Sequence, residues 1–559
     1  MRARLWSLAL ACGLSASLAA APAARAQDRA KLMQQHRGGT LRLLASAAAG
    51  TLDPQINYEG EFWQVYANVY DGLTAFKKVA GPDGNTIVPD LAASIPEPQD
   101  GGRTFVFTLR RGIKFADGRA VTTADVVASF RRIFKISGPT SGSFYGVIAG
   151  ADACLKSPAD CTLAGGVVAD AEAGTITFHL TRPDPEFLDK LALPHASILP
   201  ADTAAKDAGT QPIPGTGPYM IAGYEPNRQL RLVRNPAFRE WSADAQPAGY
   251  PDAIDYDFGL EPEAEVTAVE NGQADWMGNR PPLDRLGELG RRFAKQIHIN
   301  PVFSLSYLAM NTRLAPFDNL AARQAVAYAL DRRALVNLVG GPNLGSPTCQ
   351  ILPPGFPGHV DYCPYTKNPD AKWSAPDMAK ALELMQRSGT IGQKVTLIVA
   401  DTAMSRDVGI YVQSVLRRLG WDASLKAISG NIQFTYVQNT NNKVQISSNG
   451  WNQDYPAASD FLNVLFGCGS FHPGSDASIN VSGFCDPKID GAMQDALRTG
   501  IGDPAAANRM WAAIDREITD RAPIAAMFNG KDLDFVSARV GNFVFNNQYL
   551  WLFSQSWVR

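Results

Sequence analysis

A seven-residue segment, 450–456 (GWNQDYP), concentrates two aromatic rings, two amides and one carboxylate. Because glycine and proline bracket the segment and the strand-forming residues before it end there, we predict a loop that follows a strand. Asp454 in such a loop is suited to a cationic group on a small ligand. Trp451 and Tyr455 would supply flat apolar walls, and Asn452 is an amide that can bind polar groups. The alternative for Asp454 is a turn residue that bonds its own backbone.

A positive charge follows the neighbouring predicted strand. The strand over 394–400 leads through 401–405 into a helix, and Arg406 lies in the first turn of that helix, where the dipole and the free N–H groups favour an anion. Pockets of parallel α/β sheets lie at the carboxyl ends of the strands. Arg406 and Asp454 on neighbouring strand ends would suit a zwitterion. The alternative for Arg406 is a solvated surface arginine.

Three further rings are candidates for the wall of the pocket. Tyr58 stands near the start of a predicted helix over 61–70, and Phe144 and Tyr145 lie in a Gly- and Ser-rich stretch over 137–150. Loops of this kind carry many binding residues. The alternatives are simple packing for Tyr58 and a solvated connection for the other two rings.

Catalytic and metal-binding patterns do not occur in this sequence. It contains no GxSxG, HExxH or CxxC motif, and its histidines, at 36, 179, 195, 298, 359 and 472, show no ligand spacing. We therefore predict no metal, no cofactor and no enzymatic activity. A secreted hydrolase is the competing interpretation, because scattered carboxylates could still form a glycosidase pair.

The N-terminus has the features of a secretory signal peptide. Residues 1–26 combine Arg2 and Arg4 with an apolar, Ala-rich run and a small-residue cleavage site that ends at Ala26. No later stretch approaches the roughly 20 apolar residues of a spanning helix. We therefore expect a mature protein that is soluble and periplasmic. Anchoring as a lipoprotein through Cys12 is the less favoured alternative, since only a short apolar run precedes it.

Charge and length limit the partners and the architecture. Removal of the predicted signal peptide takes away three arginines and no acid, so the formal net charge goes from -2 to -5. Nucleic acid is not an expected partner, because nucleic-acid binders carry a strongly basic domain. The 559-residue sequence is long enough, after that removal, for roughly three or four units of about 150 residues.

Six cysteines follow the predicted signal peptide, as three close pairs. An even number in an exported protein indicates disulfides. Among the pairings that six cysteines allow, we predict the local ones: Cys154 with Cys161, Cys349 with Cys363, and Cys468 with Cys485. The alternative is a set of free or metal-binding thiols, which the lack of a CxxC motif and the oxidising compartment disfavour.

The clearest local pattern covers residues 103–134. Large apolar side chains occupy alternate positions over 105–109, which predicts a half-buried strand. Thr122 and Asp125 then form a capping box, with Asp in the place of the usual Glu or Gln, ahead of a helix with one apolar face. The unit is therefore a strand, a turn and a helix.

The second half of the chain alternates helices and strands, which predicts a parallel, doubly wound unit. The predicted elements are a helix over 377–387, a strand over 394–400, a helix over 406–419 and a strand over 421–428. A strand and its continuation over 296–311 mark a domain crossover near residue 300. The aromatic tail after residue 522 is expected to return and pack on the first domain.

Four segments also match a known family. They are RTFVFTLRRGIKFADGRAVTTADVVASFRR (103–132), GTGPYMIAGYEPNRQLRLVRNPAF (215–238), MNTRLAPFDNLAARQAVAYALDRRALV (310–336) and GWNQDYPAASDFLNVLF (450–466). Together they resemble the peptide-type (family 5) extracytoplasmic solute-binding proteins of ABC importers, the group that contains dipeptide- and oligopeptide-binding proteins. The resemblance runs along nearly the whole mature chain. It is specific for the family and much less so for the ligand, because the same scaffold binds peptides, sugars, nickel complexes and other solutes.

The resemblance implies an α/β fold of the two-lobed periplasmic-binding-protein (Venus flytrap) type. This fold has mixed sheets flanked by helices and an extra subdomain in the first lobe. Lobe I would comprise residues 27–300 and 527–559, with the subdomain at about 61–190, and lobe II would comprise 301–526. The ligand would be enclosed when the lobes close about hinges near 300 and 527.

The implied function is capture of a peptide or similar small solute in the interdomain cleft and delivery to ABC permease subunits in the inner membrane, by a monomer. Asp454 matches the aspartate that holds the α-ammonium of the ligand in peptide-binding relatives. Where many relatives keep a further acidic run, this chain has Pro456, Ala457 and Ala458, a departure from simple dipeptide specificity. The other solutes to consider are an oligosaccharide, an opine-like compound or a metal chelate, and a receptor for a sensor would use the same fold.

Overall fold

Two mixed sheets, each flanked by helices, organise the chain into two lobes. The computed structural model describes residues 29–45 and 50–559. The predicted signal peptide over 1–26 and Cys12 lie outside the described residues. Within the part of the chain that is described, no helix is long and apolar enough to cross a membrane.

The first sheet has five strands and holds the core of the first lobe. Its strand Thr40–Ala45 runs parallel to both of its neighbours, and Leu41 and Leu43 on it are fully buried. The strands Tyr219–Glu225 and Gln229–Arg234 form an antiparallel pair. In spatial order the strands are Trp276–Met277, Thr40–Ala45, Ala253–Phe258, Gln229–Arg234 and Tyr219–Glu225.

The second sheet has seven strands and holds the core of the second lobe. Lys394–Ala400 lies between Asp422–Ile428 and Ile446–Asn452 and is parallel to both, as in the predicted doubly wound unit. The remaining pairings are antiparallel, so the sheet as a whole is mixed. The strand order is Ile297–Pro301, Ile524–Phe535, Ser304–Met310, Ile446–Asn452, Lys394–Ala400 and Asp422–Ile428, with Gly345–Pro347 paired to Ile524–Phe535.

A smaller three-stranded sheet forms a subdomain around the unit predicted over 103–134. Its strands are, in spatial order, Thr104–Thr108, Thr175–His179 and Val167–Asp170. The capping box of Thr122 and Asp125 is confirmed, and it opens the helix Thr123–Lys135. This helix packs on the sheet through Phe130, whose ring centroid lies 4.9 Å from that of Phe178.

Helices cover the faces of these sheets because each carries an apolar stripe. In Ala403–Arg418, for example, Val408, Val412 and Val415 are buried at helical spacing. After a helical stretch over residues 29–36, the α-helices of the described residues are Gly60–Tyr66, Thr123–Lys135, Ala151–Lys156, Phe187–Lys190, Pro262–Glu270, Leu286–Arg292, Leu320–Ala329, Arg332–Leu338, Met378–Ser388, Ala403–Arg418, Gly430–Gln438, Ala458–Phe466, Pro487–Gly500 and Pro504–Arg521. The remaining strands form short pairs: Thr74–Phe76 with Ile87–Pro89, Val540–Gly541 with Trp557–Val558, and Phe545–Asn546 with Leu550–Trp551.

Two antiparallel strands carry the chain between the lobes. Ile297–Pro301 pairs with the second half of Ile524–Phe535, with Ile297 opposite Phe535 and Pro301 opposite Lys531. The segment predicted over 296–311 is therefore two strands, of which the second, Ser304–Met310, pairs with the first half of the same partner.

The aromatic tail returns to the first lobe, as predicted. Trp551 is 1% exposed, and its ring centroid lies 5.6 Å from that of Trp276. The side-chain amide of Asn546 donates to the carbonyl oxygens of Lys77 and Val79, at 3.0 and 2.8 Å. Packing and backbone hydrogen bonds thus fix the tail beside the first sheet.

All three predicted disulfides are confirmed. Their Cα atoms lie 4.4, 4.9 and 4.7 Å apart for Cys154–Cys161, Cys349–Cys363 and Cys468–Cys485. Each closes a short loop, with sequence separations of 7, 14 and 17 residues. They constrain local excursions of the chain and do not link the two lobes.

Candidate functional site

A cavity of about 270 Å³ lies between the lobes. The chain returns to it several times, so residues far apart in sequence meet there. Its lining residues are Tyr58, Glu59, Gly60, Trp63, Gln64, Val302, Phe303, Gln433, Phe434, Asn449, Gly450, Trp451, Asn452, Gln453, Asp454, Asn547, Gln548, Tyr549 and Leu550. Its volume is close to the lower end of the range for small-molecule pockets, about 300 to 1,000 Å³. We call this cavity the cleft.

The predicted loop over 450–456 is wrong in its first three residues. The strand Ile446–Asn452 continues through Gly450 and Trp451, because the antiparallel strand Ser304–Met310 pairs with it as far as Ser304 opposite Asn452. Backbone pairing to a neighbour that local sequence does not reveal therefore outweighs the turn signal of the glycine. The loop begins at Gln453, and the strand end places Asp454 at the cleft.

Asp454 is buried, and among the described residues no cationic side chain pairs with it. The Tyr58 hydroxyl donates to Oδ2 of Asp454, which joins the two lobes. The backbone N–H of Asp454 donates to Oδ2 of Asp460 at 2.9 Å. Burial, partly offset by the hydrogen bonds from Tyr58 and Asp460, raises the pKa of Asp454 to about 7. Burial and the neighbouring Asp454 charge also raise the pKa of Asp460. A cation here would favour the ionised carboxylate.

Aromatic rings form one wall of the cleft around Tyr58. Its ring centroid lies 5.8 Å from that of Trp451 and 5.5 Å from that of Trp63. His195 packs against the same ring at 4.7 Å, and burial lowers the pKa of His195 to about 3, so this imidazole is neutral. Flat rings next to a carboxylate offer a cation both a charge partner and a π face.

The polar part of the wall is rich in acceptors. Three amides that line the cleft donate their NH₂ groups within the protein: Asn449 to Ser447, Gln453 to Asn547 and Gln548 to Asn85. Their buried carbonyl oxygens have no hydrogen-bond partner among the described residues. Because unpaired buried acceptors are costly, they are positions where a ligand can donate.

Arg406 does not reach the cleft. Its side chain is 53% exposed, and its Nε lies 2.6 Å from Oδ1 of Asp401. The strand Lys394–Ala400 pairs with the strand that leads to Asp454 only at Leu397 and Ile398, opposite Ile446 and Ser447, so the two strand ends diverge. The expected pairing of Arg406 and Asp454 around a zwitterion is therefore wrong for this structure, and the alternative of a surface arginine describes the residue.

Three predicted ring contacts lie behind the cleft rather than on its wall. Tyr455 is 1% exposed, and its ring centroid lies 5.7 Å from that of Phe144. The hydroxyl of Tyr145 donates to the carbonyl oxygen of Lys190 at 2.9 Å. Since all three rings are buried and none lines the cleft, the expected presentation of Phe144 and Tyr145 on a ligand-facing loop, and of Tyr455 as a cleft wall, is not what the structure has. Tyr58, Trp451, Asn452 and Asp454 do line the cleft.

Residues 86–473 match the model of the bacterial extracellular solute-binding proteins, family 5, middle region. This match covers more than half of the chain. The chain belongs to this family. It is therefore a solute-binding protein.

Full-length relatives agree with this assignment. The periplasmic oligopeptide-binding protein OppA of Salmonella typhimurium is 24% identical over 552 residues, which cover 96% of this chain and 95% of that protein. Di/tripeptide-binding protein 1 of Pseudomonas aeruginosa is 25% identical over 476 residues, covering 77% and 78%. These relatives align with nearly the whole chain or with most of it.

Solved structures confirm the two-lobed α/β fold. Clavulanic acid biosynthesis oligopeptide binding protein 2 superimposes with a TM-score of 0.79 at 27% identity, covering 94% of this chain and 96% of that one. The murein tripeptide binding protein MppA of Escherichia coli gives a TM-score of 0.80 at 22% identity, covering 93% and 98%. At that identity the second likeness supports the fold alone.

A second polar cluster joins the lobes of this solute-binding protein away from the cleft. Nζ of Lys190 lies 2.7 Å from Asp184 and 3.4 Å from Glu186, and all three side chains are buried. The hydroxyl of Ser459, on the helix Ala458–Phe466, donates to Glu186. Burial alone lowers the pKa of Lys190, but the two carboxylates raise it above its usual range. We call these four residues the Lys190 cluster.

Sequence reasoning missed several residues of the cleft. Glu59, Trp63, Gln433, Phe434 and Gln548 line it. Glu59 is adjacent to Tyr58, which was predicted to line the pocket, and this adjacency is the one feature of the sequence that could have identified Glu59 as a cleft residue. The others come from a helix interior, a second helix and the tail, and no local pattern marks them as neighbours. Among the described residues no group of three or more His, Cys, Asp or Glu side chains could hold a metal ion.

Proposed function

We propose that this solute-binding protein captures a peptide or a similar amine-bearing solute in the cleft and delivers it to the permease subunits of an ABC importer. The observation that carries the proposal is the buried Asp454 carboxylate at the cleft wall, which has rings and free acceptors around it and no cationic partner in the part of the chain that the structure describes. An ammonium group of the ligand supplies that partner. Names of relatives that bind oligopeptides and di- or tripeptides support the solute class.

Asp454 is the proposed anchor for the ammonium group. Among the described residues its carboxylate hydrogen-bonds to Tyr58, on the opposite lobe, and to Asp460, and neither of these is a cation. An ammonium group has three N–H donors and can bind the carboxylate and a neighbouring carbonyl oxygen together. Tyr58 and Trp451 are the proposed ring contacts, and Asn452 is a proposed polar contact.

Closure of the lobes couples capture to delivery. A ligand that contacts both lobes stabilises the closed state by its differential affinity for the two states. Moving a closed-to-open ratio from 1:99 to 99:1 takes about 5.5 kcal/mol of such differential affinity. The hydrogen bond between Tyr58 and Asp454 crosses the cleft, so a ligand that binds there acts on both lobes.

The lobes are assigned as residues 27–300 with 527–559 for lobe I and 301–526 for lobe II, and the subdomain of lobe I covers about 61–190. The antiparallel pairing of Ile297–Pro301 with Lys531 to Phe535 supports hinges on these two strands. Motion there would rotate the sheets without breaking either core.

The proposed location is the periplasm, with the signal peptide removed near Ala26. The relative OppA of Salmonella typhimurium, a periplasmic binding protein by name, supports this location. The protein acts as a monomer that docks on permease subunits in the inner membrane, and it turns no substrate over. A lipid anchor on Cys12 is the alternative for its attachment.

Native mass spectrometry of protein purified from the periplasm without refolding tests this function. A bound mass that matches a peptide or another amine-bearing solute, recovered intact, supports it. A bound sugar or metal chelate would replace the solute class, while products of bond cleavage would favour the hydrolase. The same preparation reports the mature N-terminal mass, which checks cleavage near Ala26.

A further inference from the structure

We propose that Glu59 is a second cation-binding carboxylate of the cleft, so that the preferred solutes carry two amine groups, one for Asp454 and one for Glu59. This inference rests on the proposed function, because it specifies the solute that the cleft takes. It separates solutes by charge: a dication binds more tightly than a monocation of the same shape.

Glu59 lines the cleft without performing a structural task. It is the N-cap residue of the helix Gly60–Tyr66, yet its side chain makes no capping hydrogen bond. Its backbone N–H donates to Oδ1 of Asn57, at 2.8 Å. Among the described residues, its carboxylate has neither a hydrogen bond nor an ion pair. A side chain with no partner in the protein is available to a ligand.

The ionisable carboxylates that line the cleft are not balanced by any cationic side chain in its lining. Glu59 and Asp454 are its two ionisable carboxylates, and the residues that line it include no lysine, arginine or histidine. Burial, with a smaller effect of Glu61, raises the pKa of Glu59 to about 7, as burial does for Asp454. Carboxylates removed from water are costly unless a cation pairs with them. The cleft therefore favours positive charge at two places.

The uncharged part of the wall fits the same solute. The free carbonyl oxygens of Asn449, Gln453 and Gln548 accept hydrogen bonds, and a second ammonium group brings further N–H donors. Glu59 and Asp454 belong to opposite sides of the cleft, one before the helix Gly60–Tyr66 and one after the strand Ile446–Asn452. A solute with an amine on each carboxylate bridges the lobes and stabilises closure.

A matched pair of ligands tests the second carboxylate. Lysinamide and norleucinamide share the α-amine, the amide and a side chain of similar length, and only lysinamide has the terminal amine. Calorimetry at pH 7 should show that the wild-type protein binds lysinamide roughly ten- to hundredfold more tightly, the range of a hydrogen bond to a charged group. Equal affinities, or no binding of lysinamide, would overturn the inference.

Two variants locate the effect. Glu59→Gln should bring the ratio of the two affinities close to one while norleucinamide still binds, and that retained binding reports a folded cleft. Glu61→Gln is the matched control, because Glu61 is exposed and does not line the cleft, and it should keep the ratio. A ratio unchanged by Glu59→Gln would contradict the role of Glu59.

Different results would contradict the proposed anchor, Asp454, and the proposed second carboxylate, Glu59. If Asp454→Asn leaves the affinity for norleucinamide unchanged, the proposed anchor is wrong whatever Glu59 does. If Asp454→Asn weakens both amides but Glu59→Gln changes neither, the amine-binding site stands and the second carboxylate does not. Both results come from the same titrations.

Discussion

Two carboxylate clusters join the lobes, and they differ in one component. In the Lys190 cluster, a buried ammonium lies 2.7 Å from Asp184 and 3.4 Å from Glu186. In the cleft, Asp454 and Asp460 are also buried, yet the side chains that hydrogen-bond to the Asp454 carboxylate among the described residues, Tyr58 and Asp460, carry no positive charge. The first cluster contains its own cation, whereas the second receives one only from a ligand.

This difference separates a structural contact from a binding site. A buried charge that lacks a partner is costly, and a complete ion pair avoids that cost. The Lys190 cluster thus holds the subdomain against the helix Ala458–Phe466 in any closed state. In the cleft the buried carboxylate gains a cationic partner only when a ligand is bound. Binding of the ligand can therefore favour closure of the lobes.

The largest expected effect comes from removing the cation of the complete cluster. Lys190→Met leaves Asp184 and Glu186 buried and unpaired, so the free energy of unfolding in urea should fall by about 3 to 5 kcal/mol. Lys488→Met is the control, because that side chain is 82% exposed, and it should change little. An unaltered unfolding midpoint for Lys190→Met would contradict the structural role of the Lys190 cluster.

Removing the carboxylate of the cleft should lower the affinity for ligand rather than the stability of the fold. Asp454→Asn should weaken binding of an amine ligand by about 2 to 5 kcal/mol, as truncating one partner of a buried charge pair does, with no loss of stability in the empty protein. Calorimetry and thermal unfolding measure the two effects. Asp401→Asn, which alters an exposed pair with Arg406, should leave affinity alone. A large drop in the melting temperature of empty Asp454→Asn would contradict the account.

Acid should weaken the cleft selectively. The pKa of Asp454 is about 7, and the groups that face it, Tyr58, Asp460 and Tyr145, are hydroxyls and an acid. Below pH 7 the carboxylate protonates while an α-ammonium stays charged, so affinity for norleucinamide should fall about fivefold from pH 7 to pH 6 and roughly a further tenfold by pH 5. Calorimetry across this range measures the slope, and a flat profile would refute the ionised anchor.

The empty protein should respond to pH in the other direction. Because folding raises the pKa of Asp454 above its usual value, its protonated form favours the folded state. That contribution is fully present below the unfolded pKa and is lost as the pH rises through about 7. Thermal unfolding of empty wild-type protein should therefore show this loss, and Asp454→Asn should show less of it.

The smallest effect is expected from the hydroxyl that links the Lys190 cluster to the second lobe. Ser459→Ala removes one donor to Glu186, while Lys190 still pairs with that carboxylate. The free energy of unfolding should fall by roughly 1 to 3 kcal/mol, with the affinity of the cleft less affected than in Asp454→Asn. Ser405→Ala, in the first turn of the helix Ala403–Arg418 and outside the Lys190 cluster, is the matched control.

Local sequence predicted the parts of the site that local structure decides. Asp454 and Trp451 stand together because one strand end carries both, and the capping box of Thr122 and Asp125 closes within its own turn. The disulfides followed from short separations. These features depend on residues that are neighbours along the chain.

Features that depend on segments far apart along the chain could not be predicted from local sequence. The strand runs on to Asn452 because Ser304 pairs with it, and Arg406 turns to Asp401. Glu59 becomes a cleft residue only where the tail over 547–550 and the second sheet close around it. Local patterns contain no information on these approaches.

The central claim is that an ammonium group of the ligand pairs with Asp454, and counting protons tests it most directly. Calorimetry of norleucinamide at pH 6.5, in buffers of different ionisation enthalpy, gives the number of protons released on binding. With a pKa of about 7 for Asp454, the wild-type protein should release roughly 0.7 of a proton per ligand, and Asp454→Asn close to none. Equal release by the two proteins, or none by the wild type, would contradict the claim.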